Sequence, residues 1–221
     1  AEKDDENNPC TYAEVVDPVD PIDPQVTIKD DGTGTGTTTW TKDKTYFLDG
    51  MVFVNSGSVL TIEAGTVIKG KTGAGANASA LIVARGGKII AEGTAALPII
   101  FTTEADPTKR NSDGTLSQST ALDHTQTGLW GGLIVLGNSK LNSTPGQTAI
   151  EGIPTTESRG MYGGSNDADN SGVIKYVSIR HGGTDIGAGN EINGLSLGGV
   201  GTGTTIDYVE IYANADDGIE F

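Results

Sequence analysis

The sequence predicts an all-β fold, a right-handed parallel β-helix (solenoid), with an extended acidic, proline-rich tail at its amino end. The first observation is alternation within short runs. In 194–221 apolar residues fall on every second position, at Leu195 and Leu197, at Ile206, Tyr208 (or Val209) and Ile211, and at Ile219 and Phe221. Glycine, threonine, asparagine and aspartate separate these runs, which is the pattern of short strands and turns rather than helices. The second observation is repetition. Residues 174–179 and 206–211 both read I-x-Y-V-x-I at an offset of 32; Ile62 and Val83 lie 21 apart, and Ile68 and Ile90, like Leu197 and Ile219, lie 22 apart. Self-similarity at such a period marks a solenoid, and with no helical stripe between the strands the solenoid is a parallel β-helix. The third is composition: 33 glycines in 221 residues and only 5% aromatics imply tight, repeated turns around a core of small and β-branched side chains.

Taken in order, residues 1–24 read as a tail or stalk. Asp17-Pro18, Asp20-Pro21 and Asp23-Pro24 recur every three residues, the period of a polyproline II helix. Residues 1–31 hold ten acids against two lysines, −8 of the chain's formal −15. A stiff spacer and a plain disordered terminus both fit that composition. Strands begin at Gln25. The Thr-rich stretch 37–46, with Trp40, leads to apolar runs at 51–54, 59–62, 66–68, 81–83, 88–90 and 99–101, with turns at 55–57 and 85–87 between them. Residues 25–221 are thus read as one β-helix domain, shortened at its carboxy-terminal end. Two polar stretches, 104–127 and 142–170, break the rhythm. Insertions of this kind gather on one side of a solenoid, where binding is often built.

Charge and composition exclude several classes. A net charge of −15 repels nucleic acid and anionic membranes. No stretch approaches the ~20 apolar residues of a membrane span. Cys10 is the single cysteine, so no intrachain disulfide forms, and Glu6-Asn7-Asn8-Pro9 before it is not an apolar lipobox-like run. The chain begins at Ala1 with neither Met nor a leader, which fits a processed secreted protein and equally an engineered chain.

Four segments carry a family resemblance: 48–70 (LDGMVFVNSGSVLTIEAGTVIKG), 80–103 (ALIVARGGKIIAEGTAALPIIFTT), 130–138 (WGGLIVLGN) and 193–221, which contains GVGTGTTIDYVEIYANADDGIEF. Together they resemble a family of secreted or surface-attached β-helix proteins common in Bacteroidota, many of them lipoproteins or cargo of type IX secretion. The resemblance spans 37–221 and implies an extracellular or cell-surface location. It also implies further glycine-rich coils beyond the Asp-Asp-Gly-x-Glu-Phe motif, and it supplies no catalytic residues.

The chemistry-bearing candidates are few. Asp216 and Asp217, between Asn214 and Ile219, resemble the paired carboxylates of polygalacturonases, which serve as general acid and as base for a water. Arg180-His181-Gly182 resembles the His-Gly element of the same enzymes, but the order is reversed, and their Asn-Thr-Asp and Arg-x-Lys motifs are absent. Against this stands a turn shaped by Asp216 and Asp217, with Gly218 in the strained position. Asp167, Asp169 and Ser171 match the opening of a calcium loop. The twelfth position is Ser178 rather than glutamate, so a looser calcium site and an ordinary turn remain. His124, His181 and Cys10 make no zinc set. Trp40 and Trp130 are candidates for lining a sugar site, or, for Trp130, for capping the hydrophobic stack.

The expected function is therefore non-enzymatic: an extracellular β-helix serving adhesion, surface structure or glycan binding, without a cofactor other than the candidate calcium. The alternative is a polysaccharide-degrading hydrolase or lyase, which rests on fold analogy. The expected partners are a glycan or another surface protein. A second copy is also expected to stack on the last coil, where Ile219 and Phe221 leave a strand edge and the apolar core uncovered.

Overall fold

Short alternating runs, each too brief to bury a face alone, fold here by stacking on their own repeats. The computed structural model describes residues 24–111, 113–117, 122–187 and 190–221; the expected tail before Pro24, with Cys10, lies outside the described residues. No α-helix occurs among the described residues. The first coil supplies β1 (Gln25–Ile28) and β2 (Thr38–Trp40). The second supplies β3 (Thr45–Leu48), β4 (Met51–Val54) and β5 (Val59–Ile62), and the third β6 (Val67–Gly70), β7 (Ala80–Val83) and β8 (Lys88–Glu92). Next come β9 (Ile99–Thr103) and β10 (Leu133–Leu136), then a hairpin of β11 (Thr148–Ala149) and β12 (Met161–Tyr162). The nine-residue β13 (Gly172–Arg180) follows, then a small hairpin of β14 (Asp185–Gly187) and β15 (Asn190–Glu191). The chain ends through β16 (Leu195–Gly198), β17 (Thr205–Tyr212) and β18 (Ile219–Glu220).

Strands of successive coils pair in parallel and form three faces. The first stacks β4, β7, β10, β16 and β18. The second stacks β2, β5, β8 and the leading halves of β13 and β17. The third stacks β1, β3, β6, β9 and the trailing halves of β13 and β17. Side chains pointing inward line up coil upon coil at the ~4.8 Å strand spacing. On the third face the ladder runs Val26, Tyr46, Ile68, Phe101, Ile179, Ile211. On the first it runs Val52, Leu81, Leu133, Leu195, Ile219. These ladders meet in one core.

The sequence texture of each face follows from its outer side. The second face is open outside, so β5 and β8 alternate between buried and half-buried positions. The outer side of the first face is covered, so β7 and β10, Ala-Leu-Ile-Val and Leu-Ile-Val-Leu, are buried at every position, as expected of parallel sheet sandwiched on both sides. The cover includes 137–171: Phe53, Ile82 and Ile134 point outward and form a second apolar cluster with Ile150 and Ile153. The other insertion lies over the third face. Asp106 sits above Thr102, and Arg110 reaches the carbonyls of Gly65 and Pro98. At the corner between the first two faces Gly57 (φ 79°) stacks on Gly86 (φ 85°), its N–H donating to the Gly86 carbonyl at 2.9 Å. Both take left-handed φ values that glycine adopts without a Cβ clash.

Two readings of the sequence need correction. Two of the spacings near 22, Ile62 to Val83 and Ile68 to Ile90, matched strands on different faces, since Ile62 pairs with Ala91 and Ile68 with Phe101. The third stayed on the first face but was out of register by two, for it is Leu195, not Leu197, that faces Ile219. Loops of unequal length between strands stretch the later coils. Only the I-x-Y-V-x-I offset is a true register, pairing Ile174 with Ile206, Val177 with Val209 and Ile179 with Ile211. The alternation through Tyr208 is also not regular. Tyr176 and Tyr208 take φ of 48° and 51°, a left-handed bend uncommon for a bulky residue. The bend joins two faces in one strand, turns the tyrosines outward and resets the alternation so that Val177 and Val209 face the core.

Candidate functional site

The bend that merges two faces also brings a set of polar and aromatic side chains to the surface. Residues 32 apart in sequence lie side by side on β13 and β17. Tyr176 and Tyr208 stack with ring centroids 4.4 Å apart and 3° between planes. Tyr208 is 61% exposed. The Lys175 ammonium lies 5.8 Å from one ring centroid and 5.9 Å from the other, within the distance at which a cation is attracted to an aromatic face.

A hydrogen-bonded chain runs from the tyrosines toward the corner. Arg180 Nε donates to Ser178 Oγ at 2.7 Å, and Ser178 Oγ donates to Glu210 Oε2 at 2.5 Å. An Arg180 Nη2 to Glu210 contact of 3.6 Å closes the triangle. Glu210 is largely exposed, so that ion pair contributes little to stability and its oxygens remain open to a ligand. Two hollows meet here. One of about 180 Å³ is bounded by Tyr176, Tyr208, Ser178, Arg180 and Glu210. The other, of about 280 Å³, is bounded by Arg180, Glu210, Tyr212, His181, Asp106 and Thr108. Because they share Arg180 and Glu210, they form one groove that crosses two coils.

The floor of the groove is held rigidly. His181 is buried, with Nδ1 2.6 Å from the Gln126 carbonyl and its ring edge-on to Tyr212. Its φ is 60°. Asp106 is buried beneath the insertion. Burial by itself would raise its pKa. The backbone and side-chain hydrogen bonds from Thr108, the Thr102 hydroxyl and the nearby Lys69 charge outweigh burial and hold the carboxyl below its ordinary 3.8. Asp106 is therefore an ionised acceptor at neutral pH.

The residues singled out in the sequence separate into groups. Arg180 and His181 share the groove. Asp216 and Asp217 do not line it; they lie exposed on the turn after Asn214, whose side-chain amide donates to the Asp217 carbonyl at 2.7 Å. The strained position in that turn is Ala213, at φ 55°, and not Gly218. Trp40 and Trp130 are buried to 3% and 0% exposure. Trp40 stacks on Tyr46, and Trp130 on Phe101, with the Trp130 indole N–H donating to the Arg180 carbonyl at 2.7 Å. Neither ring face meets solvent, so these tryptophans build the core rather than a sugar platform. Asp167 turns outward to Lys140 at 3.2 Å, whereas Asp169 is buried and accepts from Ser171 Oγ at 3.1 Å. The two carboxylates thus serve different neighbours in one turn. Among the described residues no cluster of three or more metal-binding side chains occurs. Tyr176, Tyr208, Glu210 and Asp106 were missed. The repeated tyrosine of I-x-Y-V-x-I was the available signal for the first two.

A larger hollow, of about 660 Å³, lies outside the first face between Met51, Ile150, Ile153 and Ile186. Among the described residues, Glu151 and Thr155 are the polar side chains on its wall, so these offer little to orient a ligand rich in hydroxyls. The groove on the third face is smaller but carries the convergent polar groups that fix orientation.

Fold and groove together define a parallel β-helix protein with a surface cleft spanning adjacent coils. The chain belongs to the pectate-lyase-like beta-helix domain family, whose model matches residues 32–221. No curated protein and no solved structure matches it. No helix among the described residues is long and apolar enough to cross a membrane.

Proposed function

We propose that this chain is an extracellular, non-catalytic β-helix that binds glycan in the groove of the third face and so serves adhesion or surface structure. The observation that carries the reading is the stacked Tyr176–Tyr208 pair, with Tyr208 open to solvent, beside the Arg180–Ser178–Glu210 chain. The C–H face of a pyranose carries slight positive charge and fits the negative face of an aromatic ring. Its hydroxyls need donors and acceptors at the ring edge, which Arg180 and Glu210 supply. Asp106, held ionised but buried with both oxygens already accepting from Thr108 and Thr102, adds negative charge beneath the far end rather than a free acceptor. A glycan screen on the purified chain, followed by titration, tests this. Tyr208→Ala is expected to weaken a bound oligosaccharide about tenfold or more, since stacking on an aromatic ring contributes about 1–3 kcal/mol where the ligand is a nucleobase. Equal affinity of the variant and the parent chain would remove the reading.

The family match favours a second reading, a polysaccharide hydrolase or lyase. A general acid requires a raised pKa, whereas Asp106 is shifted down, and Asp216 and Asp217 stand outside the groove. Turnover of a pectin or alginate that is lost in a Glu210→Gln variant would favour this reading instead.

The proposal extends to the rest of the chain. The coils wind right-handed, as parallel crossovers do in about 98% of cases. Taken by itself, the chain 1–221 is proposed to self-associate with a second copy through its last coil: Tyr212, Ile219 and Phe221 are exposed, and among the described residues β17 pairs only with β13. The insertion 137–171 packs on Gly198 and Gly199 through Tyr162 and Leu141 and leaves Phe221 98% exposed. Light scattering at rising concentration is expected to show dimers that Phe221→Asp dissociates. A monomer unaffected by that change would remove the self-association.

A further inference from the structure

We propose that a second, separate site, at the corner between the first and second faces, binds the carboxylate of an acidic sugar. The turns 55–57 and 84–86 stack there, and the 3-10 turn Ser158–Gly160 of the long insertion closes over them. Between them is a hollow of about 330 Å³ bounded by Asn55, Ser56, Arg85, Ser158, Arg159 and Met161. That volume is at the small end of ligand pockets, about the size for one sugar residue.

The two arginines have different roles. Arg159 is already neutralised. It donates to Glu157 and to Asp30, each at 2.7 Å, and its guanidinium lies 3.9 Å from the centroid of the Phe53 ring. It forms a fixed wall. Arg85 has no carboxylate within ion-pair distance among the described residues. Its hydrogen bonds run from Nη1, to Gln147 Oε1 at 3.0 Å and the Gly163 carbonyl at 2.7 Å. Those two bonds fix the plane of the guanidinium and leave the Nε–Nη2 edge, the geometry that grips a carboxylate through two parallel hydrogen bonds. The Ser56 and Ser158 hydroxyls complement sugar hydroxyls, and Met161 provides an apolar surface for the ring. The wall is thus matched to a residue with one carboxylate and several hydroxyls, and not to a bare anion or a neutral sugar.

The site shares no residue with the third-face groove, so the two are separable. Saturation-transfer NMR and calorimetry on the full chain would compare D-glucuronate, D-glucose and acetate. Glucuronate is expected to bind saturably, and both other probes at least about tenfold more weakly, the ratio corresponding to 1.4 kcal/mol. Arg85→Lys keeps the charge but loses the two-pronged edge and is expected to lower glucuronate affinity about tenfold or more. Tyr208→Ala is expected to leave it unchanged. Ser158→Ala touches none of the ties of Arg85 and is expected to weaken glucuronate alone, which keeps the test decisive if thermal melting shows that Arg85→Lys loosens the insertion. Absence of saturable binding, equal binding of glucose or acetate, or affinity unaffected by both variants at the corner would overturn the proposal. Loss of glucuronate binding in Tyr208→Ala alone would assign the ligand to the groove and overturn it equally.

Discussion

Trp130→Ala is expected to destabilise the chain by about 3–5 kcal/mol, the range for removing a large buried aromatic side chain. Trp130 is fully buried at the start of the fourth coil's passage onto the first face, stacked on Phe101 with 7° between ring planes. Neighbouring backbone has no freedom to collapse into the space, because each coil is pinned by parallel hydrogen bonds above and below. The substitution also strips the Arg180 carbonyl of its indole donor, leaving a partly buried acceptor without that partner. Since Arg180 anchors the groove, the loss is expected to reach the ligand. The melting temperature falls by roughly 10 °C, at about 2–4 °C per kcal/mol for a chain of this size, and glycan affinity falls with it. Trp130→Phe, which keeps ring stacking but not the donor, is expected to recover most of the stability. A thermal melt of both variants checks this.

Gly172→Ala is the second large effect. Gly172 opens β13 opposite Ile89 and takes φ of 116°. A methyl group there would overlap the carbonyl oxygen of Ile89, a backbone atom that cannot move without breaking the β8–β13 pairing. Conformational strain adds to the clash, because an L side chain rarely adopts this φ. The expected outcome is a loss of more than about 3 kcal/mol, concentrated where the third and fourth coils meet. In a stack whose stability is a sum of neighbour contacts, amide exchange should rise first in β8, β13 and β17 and least in β1 and β3, two coils away. Uniform exchange across all coils would contradict the nearest-neighbour account.

The fold class was legible because its cause is local. Strand length, turn residues and the Val177/Val209 and Ile179/Ile211 positions repeat in the chain itself. The register was less legible, because Ile62 and Val83 look alike whether they share a face or not, and only closure of the coil decides. The second apolar cluster outside the first face was also foreshadowed: β7 and β10 are apolar at every position, which alternation with solvent on one side does not explain. The groove was the least legible part. Arg180 and His181 were picked out through an enzyme likeness, whereas their real neighbours, Glu210, Tyr208 and Asp106, come from another coil and from an insertion. Asp216 and Asp217, conspicuous as a pair, lie exposed on a turn that the Asn214 amide ties. Trp130, conspicuous as an aromatic, is core. Exposure is set by the bend at Tyr176 and Tyr208, and a left-handed tyrosine leaves no mark in hydropathy.

The groove between Tyr208 and Arg180 is tested most directly by mapping a bound ligand onto it. Backbone and side-chain NMR signals are followed while the best oligosaccharide from a glycan screen is titrated. The shifts are expected to cluster on Tyr176, Ser178, Arg180, Tyr208 and Glu210, with their saturation giving one affinity. Shifts centred instead on Met51, Ile150 and Ile186 at the first face, or a screen in which no glycan binds, would contradict the assignment.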